Sequence, residues 1–339
     1  MLKCIDEMPQ LCQQAWQMAM DFDLHPGYSR VNKVVIFGVG GSAIGGDLVG
    51  SLAISEAKIP IIIYRGYDPP AFIDAQTLVI VPSCSGMTEE TLSPFRKTLG
   101  TESKKLAVTT GGKLKEMAEA RNIPVFSFDY KAQPRAALAF SLLPILGLLN
   151  KLGFISDKSA EVAETVDVLQ KLSQKVGAEV AMSDNPAKQL AQQLYGRLAV
   201  VYGAGIIAGV AYRWKTQLNE NSKAWAFYEV FPELNHNSIV GYQFPPELAG
   251  KTMVVLLHSD LIPYRIRLRY QVTCELLEKA KVSYQIVEGE GTSPLSHIMS
   301  LVLFGDYVSL YLAMLNKIDP TPVKNIAYLK EKLAKDKGE

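Results

Sequence analysis

Short runs rich in β-branched residues recur along the first third of the chain with helical patterns between them: KVVIFG at 33–38, IPIIIY at 59–64, TLVIVP at 77–82, KLAVTT at 105–110 and IPVFSF at 123–128. Near-continuous apolar runs alternating with helices predict a parallel sheet buried on both faces, an α/β architecture. Nothing else in the sequence restricts the fold as much.

The alternation pauses over a polar, helical stretch at about 156–185 and then restarts with LAVVYG at 198–203, TMVVLLH at 252–258 and SYQIVE at 283–288, which predict a second sheet of three strands. The halves resemble each other. IFGVGGSAIGG at 36–46 matches VYGAGIIAGV at 201–210, each a strand, a glycine turn and a helix, and VIVPSCSGMTEET is paired more weakly with VVLLHSDLIPYR. An internal duplication follows. With 339 residues, 48% of them apolar, there is enough chain for two cores, and two domains are expected.

The charge balance, 35 basic against 34 acidic residues, gives no global field toward nucleic acid or a membrane surface, so any anion is bound locally. Cys4, Cys12, Cys84 and Cys274 form no CxxC pair and are too few for a disulfide scaffold, which fits a reducing, cytoplasmic compartment. Asp6, Glu7, Asp21 and Asp23 make the N-terminal stretch an amphipathic helix and not a secretory leader. The apolar run at 138–149 contains a proline and is short of the ~20 residues that span a bilayer. No membrane crossing is expected.

In a parallel sheet, ligands sit beyond the carboxyl ends of strands, where helix N-terminal amides are free. The two loops of interest are therefore 38–47 and 82–91. In the first, Gly38, Gly40 and Gly41 allow a tight turn close to a ligand, and Ser42 adds a hydroxyl. It also satisfies a relaxed dinucleotide fingerprint, with Arg65 available for an NADP phosphate, so an oxidoreductase is a competing expectation. In the second, Ser83, Ser85 and Thr88 place three hydroxyls at a strand-to-helix turn, a cradle for a phosphomonoester. The bland alternative is that these residues cap the helix starting near Thr88.

The segment 219–241 gathers Glu220, Lys223, Glu229, Glu233 and His236 among aromatics and asparagines, a density of titratable groups that suggests a site. Arg135 opens a long apolar helix, where an arginine gains nothing from the helix dipole, so a ligand-facing role is plausible for it. Taken singly, Glu220 reads as a helix-end acid and His236 as a loop histidine. His25, His258 and His297 lack partners at metal-ligand spacing, so neither a metal nor a nucleophilic triad is expected.

GVGGSAIGGD, SCSGMTEET, the PRAAL arginine, the NEN segment followed by PELNHN, and the closing DPTPVKNIAYLK together resemble the bifunctional phosphoglucose/phosphomannose isomerases, a two-SIS-domain branch of the phosphoglucose isomerase superfamily. The resemblance implies two flavodoxin-like αβα SIS domains at 1–153 and 154–318, with a helical tail at 319–339 contributing to the site. It implies substrate and phosphate binding by Gly41, Ser42, Ser83, Ser85 and Thr88, and an Arg135 that helps hold an enediolate. Glu220 would shuttle the proton between C1 and C2. His236 would assist ring opening from the neighbouring subunit of a homodimer, and a tail lysine, Lys330 chosen over Lys324, would complete the ring-opening pair. No cofactor is implied. Cys84 and Met87 depart from the tyrosine and asparagine usual in the second loop, which bears on loop shape and substrate preference; Cys84 reads as a small packing residue before a reactive thiol. A non-catalytic sugar-phosphate sensor with the same hydroxyl loop is the other alternative.

Overall fold

The computed structural model describes residues 1–335. Helices α1 (Leu2–Asp6) and α2 (Met8–Asp21) lead into β1 (Lys33–Phe37), α3 (Gly40–Ala53), β2 (Ile61–Tyr64), β3 (Thr77–Pro82), α4 (Glu89–Thr98), β4 (Lys104–Thr109), α5 (Gly112–Glu119) and β5 (Val125–Ser127). Then come α6 (Leu138–Lys151), α7 (Ser159–Val176) and α8 (Pro186–Leu194). The second alternation is β6 (Leu198–Ala204), α9 (Ala208–Glu220), β7 (Ala226–Phe231), β8 (Thr252–His258), α10 (Tyr264–Lys279) and β9 (Ser283–Glu288), closed by α11 (Pro294–Leu315) and α12 (Lys324–Lys335).

All strand pairs are parallel. The first sheet has the order β2-β1-β3-β4-β5, with Val35 between Ile62 and Val79 in register. The second has the order β7-β6-β8-β9, with Val201 between Tyr228 and Val255. Counted within its own half, the second sheet repeats the first without its last strand, and both follow the doubly wound order whose ligand crevice lies beside the first strand. The central β3 is buried at every position, as a strand covered on both faces must be.

The second sheet has four strands where three were expected. The additional one, β7, is an edge strand with Phe227 and Tyr228 about 40% exposed. Its charged and aromatic surroundings hid it within a segment that read as site alone. A second correction concerns Arg135: it lies not in the long helix but in a single 3-10 turn, Pro134–Ala136, and Ala137 with ψ near 25° separates that turn from α6.

One apolar cluster runs through the molecule between the sheets, joining Ile36 and Ile44 to Leu146, Leu169, Trp214 and Leu301. Helices α2, α3, α6, α7, α8, α9 and α11 form that middle layer. Smaller clusters cover the outer faces, one around Phe95 and Leu114 under α4 and α5, the other around Tyr202, Phe231 and Tyr270 under α10. Helix α11 has the length and mean hydropathy, 1.8, of a membrane span, yet 83% of that window is buried inside the fold. Its Asp306 is paired there with Arg213, and Trp214 Nε1 donates to its Leu301 carbonyl at 2.8 Å.

Candidate active site

Three segments distant in sequence meet at the carboxyl edge of the first sheet. Gly41 and Ser42 form the first turn of α3, and the Gly41 backbone lies against Pro134 and Arg135, so closely that an added Cβ would sit 3.4 Å from the Arg135 Cα. Ser141 Oγ of α6 donates to the Gly41 carbonyl at 3.2 Å. The loop 83–88 completes the group: Ser42, Ser83, Cys84, Pro134 and Ser141 line one small cavity of about 10 Å³.

Within that loop, Ser83 Oγ donates to Thr88 Oγ1 at 3.1 Å, and Ser85 Oγ accepts from the Met87 amide at 3.2 Å. Thr88 occupies the N-cap position of α4, yet its side chain makes no capping bond. The hydroxyls therefore line the helix end without closing its amides, which is the arrangement an anion cradle requires. The next turn braces the loop from behind, with Thr110 donating to the Cys84 carbonyl from both its amide and its hydroxyl. Cys84 packs half-buried against the core, and burial pushes its thiol above its usual pKa, away from the thiolate that a reactive cysteine needs.

Arg135 links this cradle to the second half. Its side chain is 4% exposed, and Nη1 stands 3.9 Å from Oε2 of Glu220, the last residue of α9. Nε donates to Asn221 Oδ1 at 2.7 Å, and Nη2 donates to the carbonyls of Pro320 and Thr321 at 2.7 and 2.9 Å. Burial pulls its pKa below the ordinary arginine value, while the carboxylates of Glu220 and Asp306 pull the other way. Behind it, Asn221 donates to Ser309 Oγ at 3.0 Å and Arg213 donates to the Arg135 carbonyl at 3.3 Å. Arg213 is itself held by Asp306 at 2.6 Å. The arginine is thus fixed at its head and at its backbone before any ligand arrives, which is the preorganisation that electrostatic stabilisation of a developing anion needs.

Glu220 opens onto a cavity of about 570 Å³ lined also by Lys223, Asp319, Pro322, Val323 and Lys324. This is the volume of a small-molecule site. Lys324, in the first turn of α12, is on its wall; Lys330, the tail lysine preferred from sequence, is exposed and does not line it. Nearly two helical turns, about 9 Å of rise, separate them.

His236 does not reach this cavity within one chain. It is exposed, on the turn Glu233–His236 that follows β7. Its segment is tied to the second sheet by Glu229 with Ser238 and by the Tyr202 and Tyr242 hydroxyls at 3.1 Å. Arg65 is paired with Asp47 and lies over the Tyr212 ring at 5.7 Å, so the arginine of the NADP expectation is already engaged. Sequence reasoning missed the Pro320 and Thr321 carbonyls, whose role no side chain announces, and the buried Arg213–Asp306 pair, which joins α9 to the largely apolar α11.

Residues 183–333 match the bacterial phospho-glucose isomerase C-terminal SIS domain. The bifunctional phosphoglucose/phosphomannose isomerase of Caldicellulosiruptor bescii is 41% identical over 99% of this chain and 100% of its own, and that of Aquifex aeolicus is 36% identical over 92% and 94%. Among solved structures, the C-terminal domain of glucosamine-fructose-6-phosphate aminotransferase from Francisella tularensis superposes with a TM-score of 0.72 at 14% identity, covering 95% of this chain and 97% of that one. That likeness carries the fold alone; the sequence identities carry more. This chain belongs to the bifunctional phosphoglucose/phosphomannose isomerase family.

Proposed function

We propose that this chain interconverts glucose 6-phosphate, and mannose 6-phosphate, with fructose 6-phosphate by ring opening and a cis-enediolate, without a cofactor. The observation that carries the reading is the buried Arg135 guanidinium fixed 3.9 Å from the Glu220 carboxylate at the junction of hydroxyl cradle and cavity. Gly41, Ser42, Ser83, Ser85 and Thr88 bind the substrate, chiefly its phosphate. The Glu220 carboxylate removes the C2 proton of the open-chain aldose, the electron pair enters the C1–C2 bond, and Arg135 stabilises the charge that gathers on the oxygens. Glu220 then returns the proton to C1 while a hydroxyl proton passes from O2 to O1, leaving the ketose. No electrons leave the substrate. In the reverse direction, proton return to either face of C2 yields either aldose.

Ring opening falls to His236 of a second subunit and to a lysine of the tail, for which the cavity wall favours Lys324 over Lys330. A homodimer is supported by the exposure of His236 and, four and eight residues further along the chain, of the large apolar side chains of Val240 and Phe244, 79% and 78% exposed. The chain works in the cytoplasm, as two SIS domains meeting near residue 153 and a tail from 319 that closes the site.

The test is conversion of fructose 6-phosphate by the purified, metal-stripped protein, with glucose and mannose 6-phosphates quantified separately. Both products are expected. Glu220→Gln should lower kcat by about 10³ while the protein still binds fructose 6-phosphate. Turnover that persists within tenfold in that variant removes Glu220 from the role of base.

A further inference from the structure

We infer that Lys223 is a positioning residue of this site: its ammonium holds the Pro320 carbonyl, and with it the strap 319–323, against Arg135 and over Glu220. The inference rests on the isomerase reading for its catalytic part, and on geometry alone for its structural part.

Lys223 is one of four residues other than glycine with a positive φ in the described chain, at +52°. That conformation is strained for any residue with a side chain and persists only where its surroundings impose it. Here it turns the chain back past the end of α9, so that Nζ donates to the Glu220 carbonyl and, at 3.1 Å, to the Pro320 carbonyl. A cation is favourable at a helix C-terminus, where carbonyls are unpaired. The same Pro320 oxygen accepts from Arg135 Nη2 at 2.7 Å. One carbonyl of the strap is therefore gripped by two cations, one from each half of the molecule.

The strap has little else to hold it. None of the side chains from Asp319 to Val323 is buried, and the bond from the Thr321 amide to Asp319 Oδ1 at 2.8 Å is internal to it. Yet Asp319, Pro322, Val323 and Lys324 form one wall of the cavity beside Glu220. Without the Lys223 ammonium, Arg135 alone would restrain that wall, with the guanidinium whose Nη1 faces Glu220. Strap position and arginine orientation would then loosen together, and a displacement of about 1 Å in such a site costs on the order of 10²-fold in rate.

Lys223 is exposed, so its replacement leaves the core intact. Lys223→Met keeps the alkyl stem and removes the charge; Lys223→Arg restores a cationic donor. Two readouts are taken on the full-length protein: steady-state kinetics with fructose 6-phosphate, and backbone deuterium exchange of peptides covering 318–326. Lys223→Met should lower kcat by about 10- to 100-fold with KM within threefold, because the phosphate cradle is untouched, and should speed exchange in the strap. Lys223→Arg should recover both. Unchanged exchange in Lys223→Met overturns the proposal. Faster exchange with unchanged kcat reduces Lys223 to a tether without catalytic consequence, and lost kcat with unchanged exchange makes it a group acting on substrate; either outcome overturns the positioning role. A wild-type protein that converts no fructose 6-phosphate refutes the isomerase reading instead, and the exchange arm still decides whether Lys223 holds the strap.

Discussion

Lys324 and Lys330 are both tail lysines of the same helix, and sequence offers no means of ranking them beyond local context. The structure separates them by which one the strap brings to Glu220: Lys324 lines the cavity and Lys330 is turned to solvent. Lys324→Ala is therefore expected to reduce kcat/KM for fructose 6-phosphate by at least about tenfold, a modest loss for a group taking part in proton transfer. Lys330→Ala should stay within twofold. The reverse result, measured by initial rates, would mean that α12 adopts another position in the working enzyme. Arg135 shows the complementary case. The sequence suggested a mild misfit with a helix dipole, whereas Arg135 sits in a 3-10 turn before the helix, and its orientation depends on Asn221, Pro320 and Thr321, which no local pattern connects to it.

At the scale of elements, the hydroxyl loop owes its shape to the turn packed behind it. Gly86 has φ near +62°, and a Cβ built there would lie 1.8 Å from the Gly111 carbonyl oxygen. Both backbone conformation and space demand glycine. Gly86→Ala should destabilise the protein by about 2–4 kcal/mol in chemical denaturation and raise KM for the sugar phosphate, since relief of the clash must move Ser85 or Thr88. Gly100→Ala is the control: an added Cβ there meets nothing within 4 Å, and the change should stay within about 0.5 kcal/mol. Destabilisation of both variants alike would point to a general intolerance of the first sheet, not to the loop. Cys84 and Met87 of this loop occupy unlike positions: Cys84 packs half-buried on the core, and Met87 is 53% exposed and accepts from the Lys113 amide through Sδ at 3.4 Å.

For the whole molecule, the shared core makes stability a property of both halves, and one buried cation contributes to its alkaline dependence. Lys105, at the start of β4, is 6% exposed and donates only to carbonyls, those of Thr101 and Ser103 at 2.8 and 2.7 Å. Burial lowers its pKa from 10.5 to about 8. A lysine depressed in the folded state burdens folding while it is charged in both states. Between about pH 8 and 10.5 the unfolded chain binds the extra proton at Lys105, so this lysine's contribution to stability rises with pH across that window and levels off above it. Urea unfolding of wild type and Lys105→Met at pH 7.5 and 10 should show the wild type gaining on the variant as pH rises. A difference that stays constant would place the lysine in contact with solvent.

The alternation of strands and helices, the duplicated glycine turn and the presence of a loop rich in hydroxyls were legible in the sequence alone, because each is written in local periodicity or in side-chain type. An edge strand such as β7 was not legible, since Phe227, Tyr228 and Glu229 in its middle are not buried and leave no apolar run. Tertiary structure alone decided the rest. It brought the end of α9 to the turn before α6, placed the Pro320 carbonyl between Arg135 and Lys223, and set Asp306 of an apolar helix behind Arg213. These are contacts between groups about 80 to 190 residues apart, made through backbone atoms and buried charges whose partners exist only once the two sheets have closed on a common core.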